Sequence, residues 1–566
     1  MKLLNILANK KHIIYLVLIT ILYFILFCQN LDSYHFLDFF ETKYTTIAKE
    51  MIANNSPLTP TLNGANNFDT PPLFFWIINM FCFIFGKIAP EIVRIPNVLC
   101  LYATMIFMFF CLKKIIDERF AFITVTTFIT NIAIIFFAHL ASTDILFLST
   151  TISAILCAYL NILNEKTDYK ILALMYVMIG LSTLSVGIIG FIMPFLTTHL
   201  LFLIAQKGKE LIKPKSIIIS FIALSILILP WHIYMICTYG NDFIRNYVTL
   251  PNYKYLIANL ATLFFVIFPY ILVYKRSSFD VKINFVKSFL LKVINPNFKK
   301  LREIQWDNCR LKNKFLVANT LTLIIGLIFA LIFQSKQPYL ILFLMFPISC
   351  ITSHYIDNFL KQRFENKNVF KIISLICIIP ILTSIFLIFS NHNTFGIQKE
   401  IKEIFFMPIV IISYIIPIFV ILFCIVKNKI MLIVTYLITM IYLSGIITPY
   451  IYTFISTTTG ENDLINFATI TKNQNKKLLS FISKQKYIIT YYYDKNVEFH
   501  KNTDYDFLKE YMKKNQEANV IIKIKDLNNI EKEQINYNLV ATGKKYCLIE
   551  YSPDNMIEEE VEITTY

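Results

Sequence analysis

The sequence predicts an all-α polytopic membrane protein with a small α/β extramembrane domain at its C-terminal end. Three observations predict this. Hydrophobic residues make up 56% of the 566 residues and charged residues only 16%, whereas a soluble globular surface needs roughly a quarter of the chain charged. Mean hydropathy is +0.59. The apolar residues gather into long runs separated by short basic gaps, and this pattern stops near residue 460.

The formal net charge of +16 would suggest nucleic acid if it were evenly spread. It is not. Residues 453–566 hold 15 Lys/Arg against 17 Asp/Glu, while the first 452 residues hold 38 against 20. The basic groups sit in the gaps between apolar runs, as expected of loops on the cytoplasmic side of a membrane, and nucleic-acid binding is excluded as a function class. Eleven Cys form no CxxC pair and no Cys/His ligand spacing, so they read as small apolar packing residues.

A bilayer core takes about 20 apolar residues per helix. The first run, Ile13–Cys28, follows Lys2, Lys10 and Lys11 without a small-residue cleavage site, and reads as an uncleaved first span. Candidate spans are 13–30, 94–112, 120–138, 145–162, 171–185, 188–205, 216–236, 256–274, 315–333, 339–358, 370–390, 406–426 and 430–452. With the N-terminus cytoplasmic, Lys113/Lys114/Arg119, Lys166/Lys170, Lys207–Lys215, Lys361–Lys367 and Lys427/Lys429 all fall inside. So does the segment 275–314, which has 11 Lys/Arg against three acids. The first outer loop, 31–93, has three Lys against six Asp/Glu, and the tail is left outside. The chain thus divides into a membrane part, 1–455, and an outer domain, 460–566.

In the outer loop, Tyr44, Ile47, Ala48, Met51 and Ile52 share one helical face, predicting an amphipathic helix over 41–53 lying on the membrane. Asn63-Gly64 predicts a turn, and Leu73–Phe85, behind Pro71-Pro72, an interfacial or re-entrant stretch. In the tail, Lys486–Tyr493 and Val520–Ile524 read as strands, Tyr505–Asn515 as a helix and Leu539–Tyr551 as a hairpin or paired strands. No internal repeat, phosphate loop or nucleophile elbow stands out.

The ionisable groups outside the basic loops are the informative ones. Asp38, Glu41 and Lys43 begin the surface helix, where Glu41 is either a simple N-terminal acid favoured by the helix dipole or a functional carboxylate. Asp144, in His139-Leu-Ala-Ser-Thr-Asp144, lies at the outer mouth of two spans. It is either a helix cap or a carboxylate facing a polar cavity, since a bare charge beside hydrocarbon is costly. His139 lacks a second ligand at metal spacing and reads as an ordinary interfacial His. Lys336, in Ser335-Lys336-Gln337-Pro338-Tyr339, either snorkels or binds an anionic head group. Asp69, Arg245 and Lys254 also face outward.

These residues resemble a known family. Phe40-Glu41-Thr42-Lys43-Tyr44, Leu62-Asn63-Gly64, Phe68-Asp69-Thr70-Pro71, Trp76-Ile77-Ile78-Asn79, Phe85-Gly86 and Val93-Arg94 run in register with the first outer loop of bacterial aminoarabinose (4-amino-4-deoxy-L-arabinose) transferases. Those belong to the protein-O-mannosyltransferase-like glycosyltransferases of the GT-C fold. Ala141–Leu146 resembles the family's second acidic motif, and Ser335–Tyr339 its Lys-Leu-Pro-x-Tyr. The departures are specific. The family's first-loop Asp falls on Phe40, its Glu-Lys on Asp69-Thr70, and its Thr-Lys-Gly on Ser185-Val186-Gly187, while the Glu-His of its fourth outer loop has no counterpart.

The resemblance implies thirteen spans, an outer C-terminal domain, and a sugar donor carried on a polyprenyl phosphate in the bacterial inner membrane. The sugar moves with inversion to an envelope acceptor such as lipid A, lipopolysaccharide or protein. It implies Asp144, Glu41 and Asp38 as candidate catalytic carboxylates, and Lys43, Tyr44, Asp69, Lys336 and Tyr339 as candidate ligands of substrate or lipid phosphate. The one cofactor it leaves in view is a divalent metal, with Asp69 and Glu41 the available acids. A transporter or flippase for a lipid-linked sugar, and a non-catalytic relative, are the rival readings. Spans nearly free of charge and acids at the outer rim favour the enzyme.

Overall fold

A computed structural model describes residues 11–164, 166–205, 207–247, 311–332, 339–360, 456, 459–482 and 487–552. The expected spans 256–274, 370–390, 406–426 and 430–452 lie outside the described residues. Among those described, four helices are long and apolar enough to cross a membrane: Pro90–Ile115, Thr143–Leu163, Tyr169–Val186 and Pro214–Tyr247. Other apolar helices accompany them, among them Lys11–Phe27, Ile188–Ile204 and Leu311–Ile332.

The Thr143–Leu163 helix is the axis of the bundle. It is mostly apolar and buried along nearly its whole length, as a helix without a charged solvent face must be. Pro90–Ile115, Tyr169–Val186 and Ile188–Ile204 pack around it. Pro214–Tyr247 is the opposite case, with Phe221, Ile226 and Ile233 more than half exposed, so its apolar surface suits lipid. Along Pro90–Ile115, Arg94 and Lys113 are separated by roughly 28 Å at the α-helical rise, about the thickness of a bilayer core. Lys113 pairs with Glu118 at 2.9 Å, and Arg119 with Asp357 at 3.4 Å, on the Lys113 side.

Several sequence expectations need correction. The run 120–138 is two helices, Glu118–Ile129 and Ile132–Ala138, broken at Thr130-Asn131. There the Asn131 Oδ1 accepts the Ala133 N–H and caps the second helix. The run 339–358 likewise splits into Tyr339–Phe343 and Met345–Leu360. The run 216–236 extends through Tyr247, with a bend at Gly240, whose φ of 53° favours glycine. The surface helix begins at Lys43, behind a π-helical turn Asp38–Thr42. It is no free amphipathic rod, because Tyr44, Thr45, Thr46, Ile47, Ala48 and Met51 are all buried. Leu73–Phe85 is a 13-residue helix ended by Gly86 at φ 71°. It is too short to span, and Met80, Phe83, Ile84 and Phe85 remain exposed.

Asn63 and Gly64, at φ 55° and 75°, make the predicted turn between β1 (Thr61–Leu62) and β2 (Ala65–Asn66), an antiparallel pair. In the tail, the strand expected at Lys486–Tyr493 is not found over its described residues, 487–493. Residues Tyr487–Tyr493 are helical, because the strand positions are filled by β3 (Leu478–Phe481) and β4 (Glu498–His500). With β5 (Asn519–Lys523), β6 (Tyr537–Thr542) and β7 (Tyr546–Tyr551) they form one sheet in the order β4-β3-β5-β7-β6. β3 runs parallel to β4 and β5, and β7 antiparallel to β5 and β6. Along β7, Tyr546 and Leu548 face the helices Glu461–Asn473 and Tyr487–Tyr493, while Cys547 and Ile549 face Tyr505–Lys514. This two-residue alternation, with both faces covered, explains why β5 reads as a continuous Val-Ile-Ile run.

The outer domain grips the first outer loop. Asn63 Nδ2 donates to the Val497 carbonyl and the Val497 N–H donates back to Asn63 Oδ1, both at 2.8 Å. Lys49 donates to the Tyr491 carbonyl at 3.0 Å, lies over the Tyr491 ring and pairs with Asp494 at 2.6 Å. Replacing Asn63 by Ala removes two directional bonds and leaves a half-buried carbonyl and amide at Val497. We expect this to weaken the contact by about 1–3 kcal/mol, read as faster amide exchange at residues 496–500 with the bundle helices unchanged.

Candidate active site

A charge in an apolar helix must be matched or it expels the helix from the core. Arg94 is such a charge: it is fully buried in the first turns of Pro90–Ile115. Its Nε and Nη2 donate to Glu41 Oε1 and Oε2, each at 2.8 Å. The remaining donors reach the carbonyls of Leu31 (2.6 Å), Tyr34 (3.2 Å) and His35 (3.3 Å). The guanidinium also lies 3.8 Å from the centre of the Tyr34 ring. This accounts for the five N–H groups of an arginine. One side chain thereby holds residues 31–41 against the bundle.

Glu41 is used as completely. Besides Arg94 it accepts the Leu37 N–H at 3.1 Å and the Ala141 N–H at 2.9 Å. Two oxygens receiving four hydrogen bonds have no lone pair left for a substrate proton. In this structure Glu41 is fully engaged in holding the loops together.

Asn97 lies three residues after Arg94 and therefore on the same helical face. Its Nδ2 donates to the Leu140 carbonyl at 2.6 Å and the Ser142 carbonyl at 2.8 Å. Arg94 and Asn97 thus join the first-loop motif to the motif around Asp144. Asp144 is buried in the first turn of Thr143–Leu163, accepting the Ser142 hydroxyl at 2.6 Å. It is not the cap, since Ser142 occupies that position. The Thr143 hydroxyl donates to the Tyr44 hydroxyl at 3.5 Å, which ties the residue beside Asp144 to the surface helix.

Asp38 is buried behind the same loop. Its Oδ1 accepts the Ile488 N–H at 2.8 Å and the Thr42 hydroxyl at 3.2 Å, linking the outer domain to the π-helical turn. Lys43 pairs with Asp69 at 3.2 Å across the open side, with Asp69 mostly exposed. Tyr487 stands near Asp69 and Asp38; burial, reinforced by those two carboxylates, pushes its phenol above the ordinary value and keeps it protonated.

His139 is buried with Nδ1 against the Ile135 carbonyl at 2.7 Å, a structural seat. Lys336 lies outside the described residues, and Tyr339 opens the Tyr339–Phe343 helix. The structure therefore gathers Glu41, Tyr44, Asp144 and Asp38 around one loop junction, with Lys43 and Asp69 at its open edge. In this structure Asp69 is paired with Lys43 and Glu41 with Arg94. Among the described residues no group of three His, Cys, Asp or Glu gathers as ligands. Sequence reasoning did not assign Arg94, Asn97 or Tyr487 to the site. For Arg94 the signal was present, a lone cation within an apolar helix. Tyr487 sat in a segment read as a strand.

In sequence and in fold the chain is similar to known proteins. Residues 69–234 match the family model described as dolichyl-phosphate-mannose-protein mannosyltransferase. A curated relative, the undecaprenyl phosphate-alpha-4-amino-4-deoxy-L-arabinose arabinosyl transferase of Photorhabdus laumondii, is 24% identical over 198 residues, 34% of each chain. The match thus spans about a third of that relative's length. The crystal structure of apo ArnT from Cupriavidus metallidurans superposes with a TM-score of 0.72 at 13% identity, covering 96% of this chain and 98% of that one. The structure of the same protein bound to undecaprenyl phosphate gives 0.67 at 13% identity, covering 97% and 99%.

The chain has the ArnT fold. The resemblance read from the outer loop is matched in sequence over 69–234 and in architecture over nearly the whole length, C-terminal sheet included. Within that fold the Glu41–Arg94 pair is the structural hinge between the loops. Replacing Arg94 by Met leaves a buried carboxylate unmatched, with an expected loss of about 3–5 kcal/mol seen as a fall in thermal unfolding temperature in detergent. The double variant Glu41→Gln/Arg94→Met recovers part of that loss, and an unchanged unfolding temperature in Arg94→Met would contradict this role.

Proposed function

We propose that this protein is an integral-membrane glycosyltransferase that moves a sugar from a polyprenyl-phosphate carrier to an envelope acceptor at the outer face of the bacterial inner membrane. In this reading thirteen spans make up residues 1–455, the N-terminus is cytoplasmic, and residues 460–566 form a periplasmic domain. The observation that carries it is the convergence of Asp144, Tyr44 and Asp38 on one junction at the Arg94 end of the bundle, with Lys43 beside it. Reacting groups there meet a carrier whose phosphate lies at the membrane surface while its tail stays in lipid. The ArnT structure that holds undecaprenyl phosphate shares this architecture and supports the choice of carrier.

The acceptor oxygen attacks the anomeric carbon of the donor sugar on the face opposite the phosphate. The carbon–oxygen bond to the acceptor forms as the bond to the carrier phosphate breaks, inverting the centre. The acceptor proton passes to a carboxylate. With Glu41 fully engaged, Asp144 is the base of choice and Asp38 the next. The leaving phosphate gains negative charge, which Lys43 and the sequence-assigned Lys336 offset, with the Tyr44 and Tyr339 hydroxyls as further donors.

The test is transfer of radiolabelled sugar from undecaprenyl-phosphate carriers by the full-length protein in proteoliposomes, with lipid A, lipopolysaccharide and envelope protein as acceptors. Asp144→Asn is expected to lower kcat by about 100-fold or more, and Lys43→Ala and Lys336→Ala each by about 10–100-fold, without a change in unfolding temperature. Full activity in Asp144→Asn, or label accumulating inside sealed vesicles without transfer, would overturn the reading.

A further inference from the structure

A cleft of about 370 Å³ opens beside the Lys43–Asp69 pair, between the β1–β2 turn, the end of Pro214–Tyr247 and the outer domain. Its walls carry Asn66, Asn67, Asp69, Asn246, Tyr487 and Phe499. With Asn63, whose side chain is already bonded to Val497, and Phe68, the lining holds four asparagines and three aromatic residues. Asn67 is the most telling member: it is 8% exposed, and its Nδ2 has no hydrogen-bond partner among the described residues. A buried donor without an acceptor costs about 1–3 kcal/mol, and a ligand oxygen would remove that cost.

The charge is equally informative. No Lys or Arg lines the cleft among the described residues, and Asp69 is already matched by Lys43 at 3.2 Å. Binding of a phosphate or carboxylate group calls for guanidinium or ammonium donors, which this wall lacks. Carboxamides donate and accept at once and suit adjacent hydroxyls, while aromatic rings offer an apolar platform for a pyranose face. Tyr487 lies on the same wall. The volume lies at the small end of the roughly 300–1,000 Å³ typical of ligand pockets, which fits a short saccharide.

We propose that this cleft is a binding site for the uncharged sugar of a glycan acceptor, so that the nucleophile delivered to the transfer centre is a neutral saccharide hydroxyl and not a phosphate. The inference rests on the transferase reading for its role and on the cleft alone for its ligand. Binding is therefore measured without donor, by saturation-transfer NMR on the full-length protein in nanodiscs. The probes are methyl glycosides of neutral hexoses and N-acetylhexosamines, compared with glucose 1-phosphate and glucosamine.

At least one neutral glycoside should bind saturably and more tightly than either charged probe. Asn67→Ala, Asn246→Ala and Phe499→Ala should each weaken it roughly three- to tenfold. Asn246 is exposed and Phe499 half-buried, so these two variants keep the test valid if Asn67→Ala perturbs folding. Asp144→Asn should retain glycoside binding while losing transfer. Tighter binding of glucose 1-phosphate or glucosamine, absence of any glycoside binding, or unchanged affinity in the variants would overturn the proposal while leaving the transferase reading standing. Glycoside binding without carrier-dependent transfer would overturn that reading and keep the cleft.

Discussion

The buried ion pair between Glu41 and Arg94 is the constraint on which the outer half of the molecule depends. Each partner would be prohibitively costly inside an apolar bundle by itself. Together, with the carbonyls of Leu31, Tyr34 and His35 and the amides of Leu37 and Ala141, they form a network in which the guanidinium's donors are all used. Such a network tolerates one geometry. It sets where residues 31–41 meet the bundle and how the segment before Asp144 packs against them. The site is built around a structural charge pair, and the candidate reacting groups are arranged on its periphery.

The outer domain completes that arrangement from above. Asp38 reaches up to the Ile488 amide, Asn63 exchanges two hydrogen bonds with Val497, and Lys49 is shared between Tyr491 and Asp494. These contacts join segments more than four hundred residues apart, so the five-stranded domain is a wall of the site as well as an appendage of the bundle. Its contribution to the amide-lined cleft, Tyr487 and Phe499, comes from the helix and strand that the same contacts hold in place. The wall's chemistry is neutral where it meets the cleft and charged where it meets the loop.

Departures from the aminoarabinose transferase pattern take on physical sense in this setting. Phe40 and Thr70 stand where that pattern has ionisable groups, and the remaining acids are each assigned by geometry. Glu41 is consumed by Arg94, Asp69 is matched by Lys43, and Asp144 and Asp38 sit at the junction itself. A smaller set of charges remains around the cleft, in keeping with the hydroxylated ligand proposed for it.

Composition and periodicity alone determined the membrane class, most described helix positions, the Asn63-Gly64 turn and the β5, β6 and β7 strands, because burial in lipid and strand alternation are written in neighbouring residues. The break at Thr130-Asn131 did not stand out because polar Thr residues recur earlier in the run 120–138, and Tyr487–Tyr493 looked like a strand because its aromatic residues suit either state. Asp144, Lys43, Asp69 and Asp38 could be picked out as charges at an apolar boundary. Whether each was free or already matched was decided only by tertiary structure. Glu41 and Arg94 are 53 residues apart and Glu41 and Ala141 a hundred, and a partner's identity at that separation is a property of how helices pack, which no local pattern encodes.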